Sequence, residues 1–223
     1  MIESIVKIWA KYDYVFLNGL CGTLWLAFVT VLFGTILGTL VALLRLSRCK
    51  VFQALTGAYI EVLRGTPILL QLYFFWLLLP KVLPFNVSDT ACIIVALVIN
   101  SSSYVAEVIR AGIQAVDKGQ MEAAKSLGLS NKNAMRYVIL PQAVKNILPA
   151  LGNEFVVMVK ETSLASVFFV GELMTSYKTV QSTTFLAIPS LTIVGIIYFI
   201  LNFILYSNSR YNTIFYYQLI ISN

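Results

Sequence analysis

The sequence predicts an all-α integral membrane protein of five transmembrane helices, N-terminus outside and C-terminus in the cytoplasm. Three observations predict it. Apolar residues make up 59% of the 223 residues and charged residues only 12%, about half the share in soluble domains. The mean hydropathy is +0.83, and the apolar residues come in runs of about 20, the length needed to cross a bilayer. The basic residues gather in alternate connections, the pattern that places those connections on the cytoplasmic side. The net charge of +6 therefore reads as topology and not as nucleic-acid binding.

Residues 14–44 hold no charge and form the first span. No basic segment followed by a cleavage site precedes it in Met1–Lys7, so it is expected to remain as an uncleaved span. Gly34 and Gly38 have the spacing that lets another helix approach closely. Arg45, Arg48 and Lys50 put the next loop in the cytoplasm. The second span, residues 51–79, contains Glu61, Arg64 and then Gly65-Thr66-Pro67. Proline removes an amide donor and clashes with the preceding turn, so this span should be kinked or broken. The loop 80–89, with Lys81 and Asp89, lies outside.

The third span, residues 90–115, has a polar centre, Asn100-Ser101-Ser102-Ser103-Tyr104, followed by Glu107 and Arg110. Residues 116–147 carry Lys118, Lys125, Lys132, Arg136 and Lys145 against Asp117 and Glu122, so they are cytoplasmic. The fourth span covers 148–170. A balanced outer loop, 171–184, sets Glu172 against Lys178, and the uncharged fifth span covers 185–206. Residues 1–206 make one transmembrane domain, and 207–223 form a polar tail without an assigned structure. Five spans are too few to enclose a pathway, which favours an oligomer with the pathway at the subunit contact.

The cytoplasmic loop, residues 117–141, reads as a helix–turn–helix. Asp117 caps a helix beginning at Lys118, with Gln120 placed for the reciprocal bond of a capping box. Gly128 ends it in a left-handed turn. Ser130 caps a second helix through about Ile139, and Pro141 starts the next element. Met121, Ala124 and Leu127 fall on one side, Glu122 and Lys125 on another. The alternative is an amphipathic segment lying on the bilayer surface.

Glu122-Ala123-Ala124, then Gly128, then Val138-Ile139-Leu140-Pro141 closely resembles the EAA loop of bacterial ABC importer permeases. Arg64-Gly65-Thr66-Pro67, the stretch Tyr104–Ile113, and Lys160-Glu161-Thr162-Ser163-Leu164 are similar to the polar-amino-acid branch of that family. The resemblance covers roughly Gly19 to Tyr206. It departs at Val138, where isoleucine is commoner, and in the tail, which lacks the usual short basic ending. It implies a type I ABC importer permease fold in the cell (inner) membrane. Glu122, Ala123, Ala124, Leu127 and Gly128 would form the coupling helix that inserts into an ATP-binding cassette subunit. It also implies a second permease copy, forming a homodimer, and an extracellular or periplasmic amino-acid-binding protein.

Ionisable groups inside spans are costly and are functional candidates. Glu154 and Glu161 lie nearly two turns apart and share one helix face, with Asn153 beside the first and Thr162 and Ser163 after the second. One reading pairs them with Lys160 and Arg64 as an internal ion network. The other gives the cationic role to the solute, and two acids suit a basic amino acid such as arginine, lysine or histidine. The solute carboxylate would then meet the free amides of Gly65 and Thr66 in the broken span. Asn100, Ser101 and Ser103 either line the cavity or join helices. Glu61 with Arg64, and Glu107 with Arg110, three apart, are expected to be structural pairs.

Cys21, Cys49 and Cys92 have no close spacing, and there is no histidine, so no metal site is expected. No phosphate-cradling Gly-x4-Gly-Lys-Ser/Thr and no nucleophile elbow occurs. The chain is not expected to be an enzyme. It needs no cofactor of its own, ATP and Mg belonging to the partner subunit. The competing reading is a carrier or channel not driven by ATP, which would have no need of a projecting helix–turn–helix. Glutamine or another polar amino acid is the alternative solute.

Overall fold

A computed structural model describes residues 1–221, with side chains described for residues 1–207. All of the polar tail 207–223 except Ser207 falls outside the residues whose side chains are described. The regular elements among the described residues are all helices, in the order α1 (Ile2–Arg45), α2 (Lys50–Gly65), α3 (Ile68–Val82), α4 (Asp89–Gln114), α5 (Lys118–Ser126), α6 (Asn131–Ala134), a π-helical turn (Met135–Ile139), α7 (Leu140–Glu161), a 3₁₀ segment (Thr162–Phe168), α8 (Leu173–Thr184) and α9 (Ala187–Ile221).

α4 is the central post. Its polar middle is buried against α1, where Gly34 and Gly38 provide the room. A Cβ added at Gly34 would lie 2.9 Å from Ser101 Oγ, and one at Gly38 2.7 Å from the Ser102 carbonyl oxygen. Leu26, Leu72, Ile93, Ala96, Leu97 and Phe168 close the core between α1, α3, α4 and the 3₁₀ segment.

α1 is 44 residues long, about 66 Å at 1.5 Å per residue, roughly twice a hydrocarbon core. It begins well before the expected span because Ile5, Ile8, Tyr12 and Phe16 are wanted by a second cluster. They pack with Leu173 and Val180 of α8 and Ile193 and Val194 of α9. The second expected span is two helices, α2 and α3, meeting at 111°. Thr66 and Pro67 are both extended, as the steric rule for a residue preceding proline requires.

The fourth expected span is not one α-helix to Val170. α7 stops at Glu161, the chain tightens into 3₁₀ geometry, and Phe169 turns left-handed at φ 54°. The connection expected as a loop at 171–184 is mostly helix. Residues 173–184 form α8, and Glu172, expected in an open balanced loop, is fully buried at its start. Three described helices are long and apolar enough to cross a membrane, Ile2–Arg45, Asp89–Gln114 and Ala187–Ser207, and the bent pair α2–α3 makes a fourth candidate. α7 is a helix of 22 residues, about 33 Å long, that carries Lys145, Glu154, Lys160 and Glu161.

Candidate functional site

The acids of α7 sit in different surroundings. Glu154 is buried, 7% exposed, and its Oε1 accepts a hydrogen bond from Ser101 Oγ at 3.0 Å. Glu161 is half-buried at the last residue of α7. The ion pairs within 4 Å among the described residues are Lys7–Glu3 and Arg110–Glu107. The internal ion network is therefore not formed. Neither Lys160 nor Arg64 reaches Glu154 or Glu161. A buried carboxylate with no cation in reach costs free energy unless it is protonated or a cation arrives from elsewhere.

The expected Glu61–Arg64 pair is also absent. Both side chains are exposed, and the Arg64 guanidinium lies 5.3 Å from the ring centroid of Tyr104 instead. An exposed pair gains little in a high-dielectric setting, whereas an arginine over an aromatic face keeps its hydration and gains the ring quadrupole. Glu107 and Arg110 are paired, with Arg110 Nε 2.9 Å from Glu107 Oε2.

The remaining candidates divide. Asn153 and Gly65 are exposed, with nothing within 4 Å of a Cβ built at Gly65. Thr162 is fully buried and its hydroxyl donates to Val159 O at 2.9 Å. Ser103 likewise donates to Asn100 O at 2.7 Å, and Ser102 to Ile99 O at 2.7 Å. Three consecutive serines in a span thus mostly satisfy their own helix while presenting small surfaces to α1. Ser101 alone bridges to the acid. Thr66 and Asn100 are bonded to Gln71, a residue not singled out from sequence. Its only signal was a lone polar side chain four places past Pro67 in the apolar run Ile68–Leu79.

Glu172 was also missed. As N-cap of α8 it accepts from Met174 N at 2.7 Å and Thr175 N at 2.6 Å, and Tyr198 of α9 donates to Oε2 at 3.1 Å. Burial pushes its carboxyl above the ordinary range, and the donors from Met174, Thr175 and Tyr198 pull against that. The same corner holds Leu173 N to Thr23 Oγ1 at 3.1 Å and Ser176 Oγ to Val15 O at 2.9 Å. Lys178, half-buried, donates to Ser166 O at 2.7 Å.

An open groove of about 850 Å³ runs between α7, the 3₁₀ segment, α8 and α9, with Lys160, Ser163, Tyr198, Asn202 and Tyr206 among its lining. Glu154 and Glu161 are not in that lining, so the groove and the acids lie on different faces of α7.

The helix–turn–helix expected at residues 117–141 is present. Asp117 accepts from Gly119 N at 2.7 Å. The reciprocal half of the capping box is missing, since Gln120 Oε1 accepts from Gln142 Nε2 at 3.3 Å. Gly128 is left-handed at φ 85°. Leu129 N donates to Ala124 O at 3.1 Å and Gly128 N to Lys125 O at 2.9 Å, the two bonds of a Schellman ending. The expected contact face splits. Ala124 is buried and Met121 packs onto Val116, Ile139, Ala143 and Ile147, because α5 covers the C-terminal end of α4 and the start of α7. Leu127 is 85% exposed, beside exposed Glu122, Ala123 and Gly128. The second helix does not stop before Pro141. It runs through the π turn straight into α7.

Residues 15–212 match the family described as the binding-protein-dependent transport system inner membrane component. The arginine transport system permease protein ArtQ of Bacillus subtilis (strain 168) is 40% identical over 189 residues, 85% of this chain and 86% of that one. The nopaline transport system permease protein NocM of Agrobacterium fabrum is 34% identical over 213 residues, 92% of this chain and 85% of that one. The crystal structure of an amino acid ABC transporter with histidines aligns at a TM-score of 0.88 and 44% identity, covering 92% of this chain and 95% of that one. Matched along nearly its whole length in sequence and fold, this chain belongs to the family of binding-protein-dependent transport system inner membrane components, among the permease subunits of amino-acid ABC transporters.

Proposed function

We propose that the chain forms the translocation pathway for a polar, basic amino acid, in a transporter driven by a separate ATP-binding subunit and fed by an external binding protein. The observation that carries this reading is Glu154, a buried carboxylate held by one hydroxyl with no cation within reach. The ammonium of an amino acid supplies the missing charge, and Glu161, one face along α7, receives the cationic side chain. Asn153 and the open backbone at Gly65 and Thr66 stand ready for the remaining polar groups. The relative named for arginine transport agrees with a cationic solute, and relatives named for glutamine transport agree with the alternative.

Five crossings follow if α7 with its 3₁₀ extension is the polar one, beside α1, the broken α2–α3, α4 and α9. With basic loops inside, the N-terminus is outside and the C-terminus in the cytoplasm. Exposed Glu122, Ala123, Leu127 and Gly128 meet the ATP-binding subunit, while Ala124 seats α5 on the body of the chain. A second copy of this chain completes the pathway. Glutamine is the alternative solute, favoured by the fact that only one of the two α7 acids is buried: a single ammonium satisfies Glu154 and leaves Glu161 to solvent.

The test is ATP hydrolysis by the reconstituted transporter, stimulated by L-arginine and by L-glutamine. Glu154→Gln should lower the arginine response about tenfold, the equivalent of one charge-assisted hydrogen bond, and Glu161→Gln should lower it more for arginine than for glutamine. Unchanged arginine stimulation in both variants would sink the reading.

A further inference from the structure

The bend at residues 65–67 interrupts an apolar helix pair, and a buried carbonyl left without a donor there is costly. In an unbroken helix the carbonyls of Val62 and Leu63 would accept from the amides of residues 66 and 67. Residue 67 is proline and has no N–H, and Thr66 is extended at φ −119°, ψ 146°. Side chains replace both donors. Thr66 Oγ1 bonds Val62 O at 2.8 Å. Gln71 Nε2, reaching back from the first turn of α3, donates to Leu63 O at 2.8 Å and to Thr66 Oγ1 at 2.8 Å.

Gln71 does a second thing with the same amide. It is 6% exposed, and its Oε1 accepts from Asn100 Nδ2 of α4 at 2.9 Å. The next residue along α4, Ser101, holds Glu154. An amide has two donor hydrogens and one acceptor oxygen, and here both ends are engaged, one by the bend and one by α4. The bend cannot open or close without releasing Leu63, Thr66 or Asn100 from Gln71, and any shift of Asn100 reaches the acid one residue later.

We propose that Gln71 is a positioning residue for transport: it stands in for the amide that Pro67 removes, and through Asn100 it keeps the α2–α3 bend in register with the Ser101–Glu154 bond. This rests on the reading of Glu154 as the solute's carboxylate partner.

The experiment uses the whole transporter, with ATP-binding subunit and binding protein, in proteoliposomes. L-arginine and L-glutamine are the probes, and the readout is the ratio of the two stimulated rates. Gln71→Leu should shift that ratio roughly threefold or more, within the range of coupling between contacting residues. Asn100→Leu should shift it in the same direction, and the double variant should be no worse than Gln71→Leu alone. If Gln71→Leu does not assemble, Gln71→Met keeps a similar length, removes both the amide donor and the amide acceptor, and carries the same expectation. A ratio unchanged while assembly and rate fall together, or effects that multiply in the double variant, overturns the proposal. If Glu154→Gln spares the arginine response while Gln71→Leu still shifts the ratio, the carboxylate reading falls and the brace stands. If Glu154→Gln abolishes the response and Gln71→Leu leaves the ratio alone, the brace falls.

Discussion

Ser101 Oγ lies 3.0 Å from Glu154 Oε1, and this one bond ties the middle of α4 to the middle of α7. Ser101 can make it only because Gly34 of α1 leaves space behind it. Ser101→Ala removes the one side-chain donor given to the buried acid. If Glu154 is ionised, the loss is about 1.5–3 kcal/mol, the range for a hydrogen bond to a charged group. Arginine-stimulated hydrolysis should fall with it, while Ser103→Ala, which breaks a bond within α4, should leave the rate close to wild type.

The α1–α4 contact is tight enough to be tested at one atom. Gly38→Ala places its methyl 2.7 Å from the Ser102 carbonyl and beside Val105. Backbone cannot yield as a flexible side chain can, so the helices must separate at a cost of about 1–3 kcal/mol, as for other overpacked cores. Gly195→Ala on α9, with nothing within 4 Å, is the control. Thermal unfolding of the two variants in detergent should separate them clearly, the first melting earlier.

Gly128 and Leu127 separate shape from contact in the helix–turn–helix elbow. Gly128→Asp forces a side chain into φ 85° and costs on the order of 1 kcal/mol locally. Leu127→Asp changes a side chain that is 85% exposed and should leave folding unaltered. Both should weaken association with the ATP-binding subunit in a pull-down. An Ala124→Asp variant should instead destabilise the chain itself, since Ala124 is buried against α5's own support.

Glu172 gives a dependence on pH. Its carboxyl is raised in the folded state, chiefly by burial. A raised acid contributes stability that is complete below the unfolded value of about 4.3 and is lost as pH rises through the folded value. Stability relative to Glu172→Gln should therefore decline as pH climbs from about 4. The slope is the readout, because glutamine cannot accept from Met174, Thr175 and Tyr198 together and will be weaker at every pH. A difference in melting temperature that stays flat with pH removes this account.

What the sequence determined by itself was set by local chemistry. Hydropathy and basic loops gave helices in a membrane. Pro67 gave the break, because a missing N–H acts within its own turn. Asp117, Gly128 and Ser130 gave the elbow, because caps and left-handed turns bind only near neighbours. Glu154 was legible as costly from its setting alone. Tertiary structure decided which partner each polar group found. Glu61 and Arg64 had the right spacing, yet Tyr104 offered Arg64 a better place. Leu127 shared a helical face with Ala124, yet only one of them lay over α4 and α7. Gln71 and Glu172 looked like minor polar residues until the chain brought Asn100 to one and Tyr198 to the other. Periodicity fixes which side of a helix a residue occupies, but the partner across the gap comes from tens of residues away, and only the packed fold brings it there.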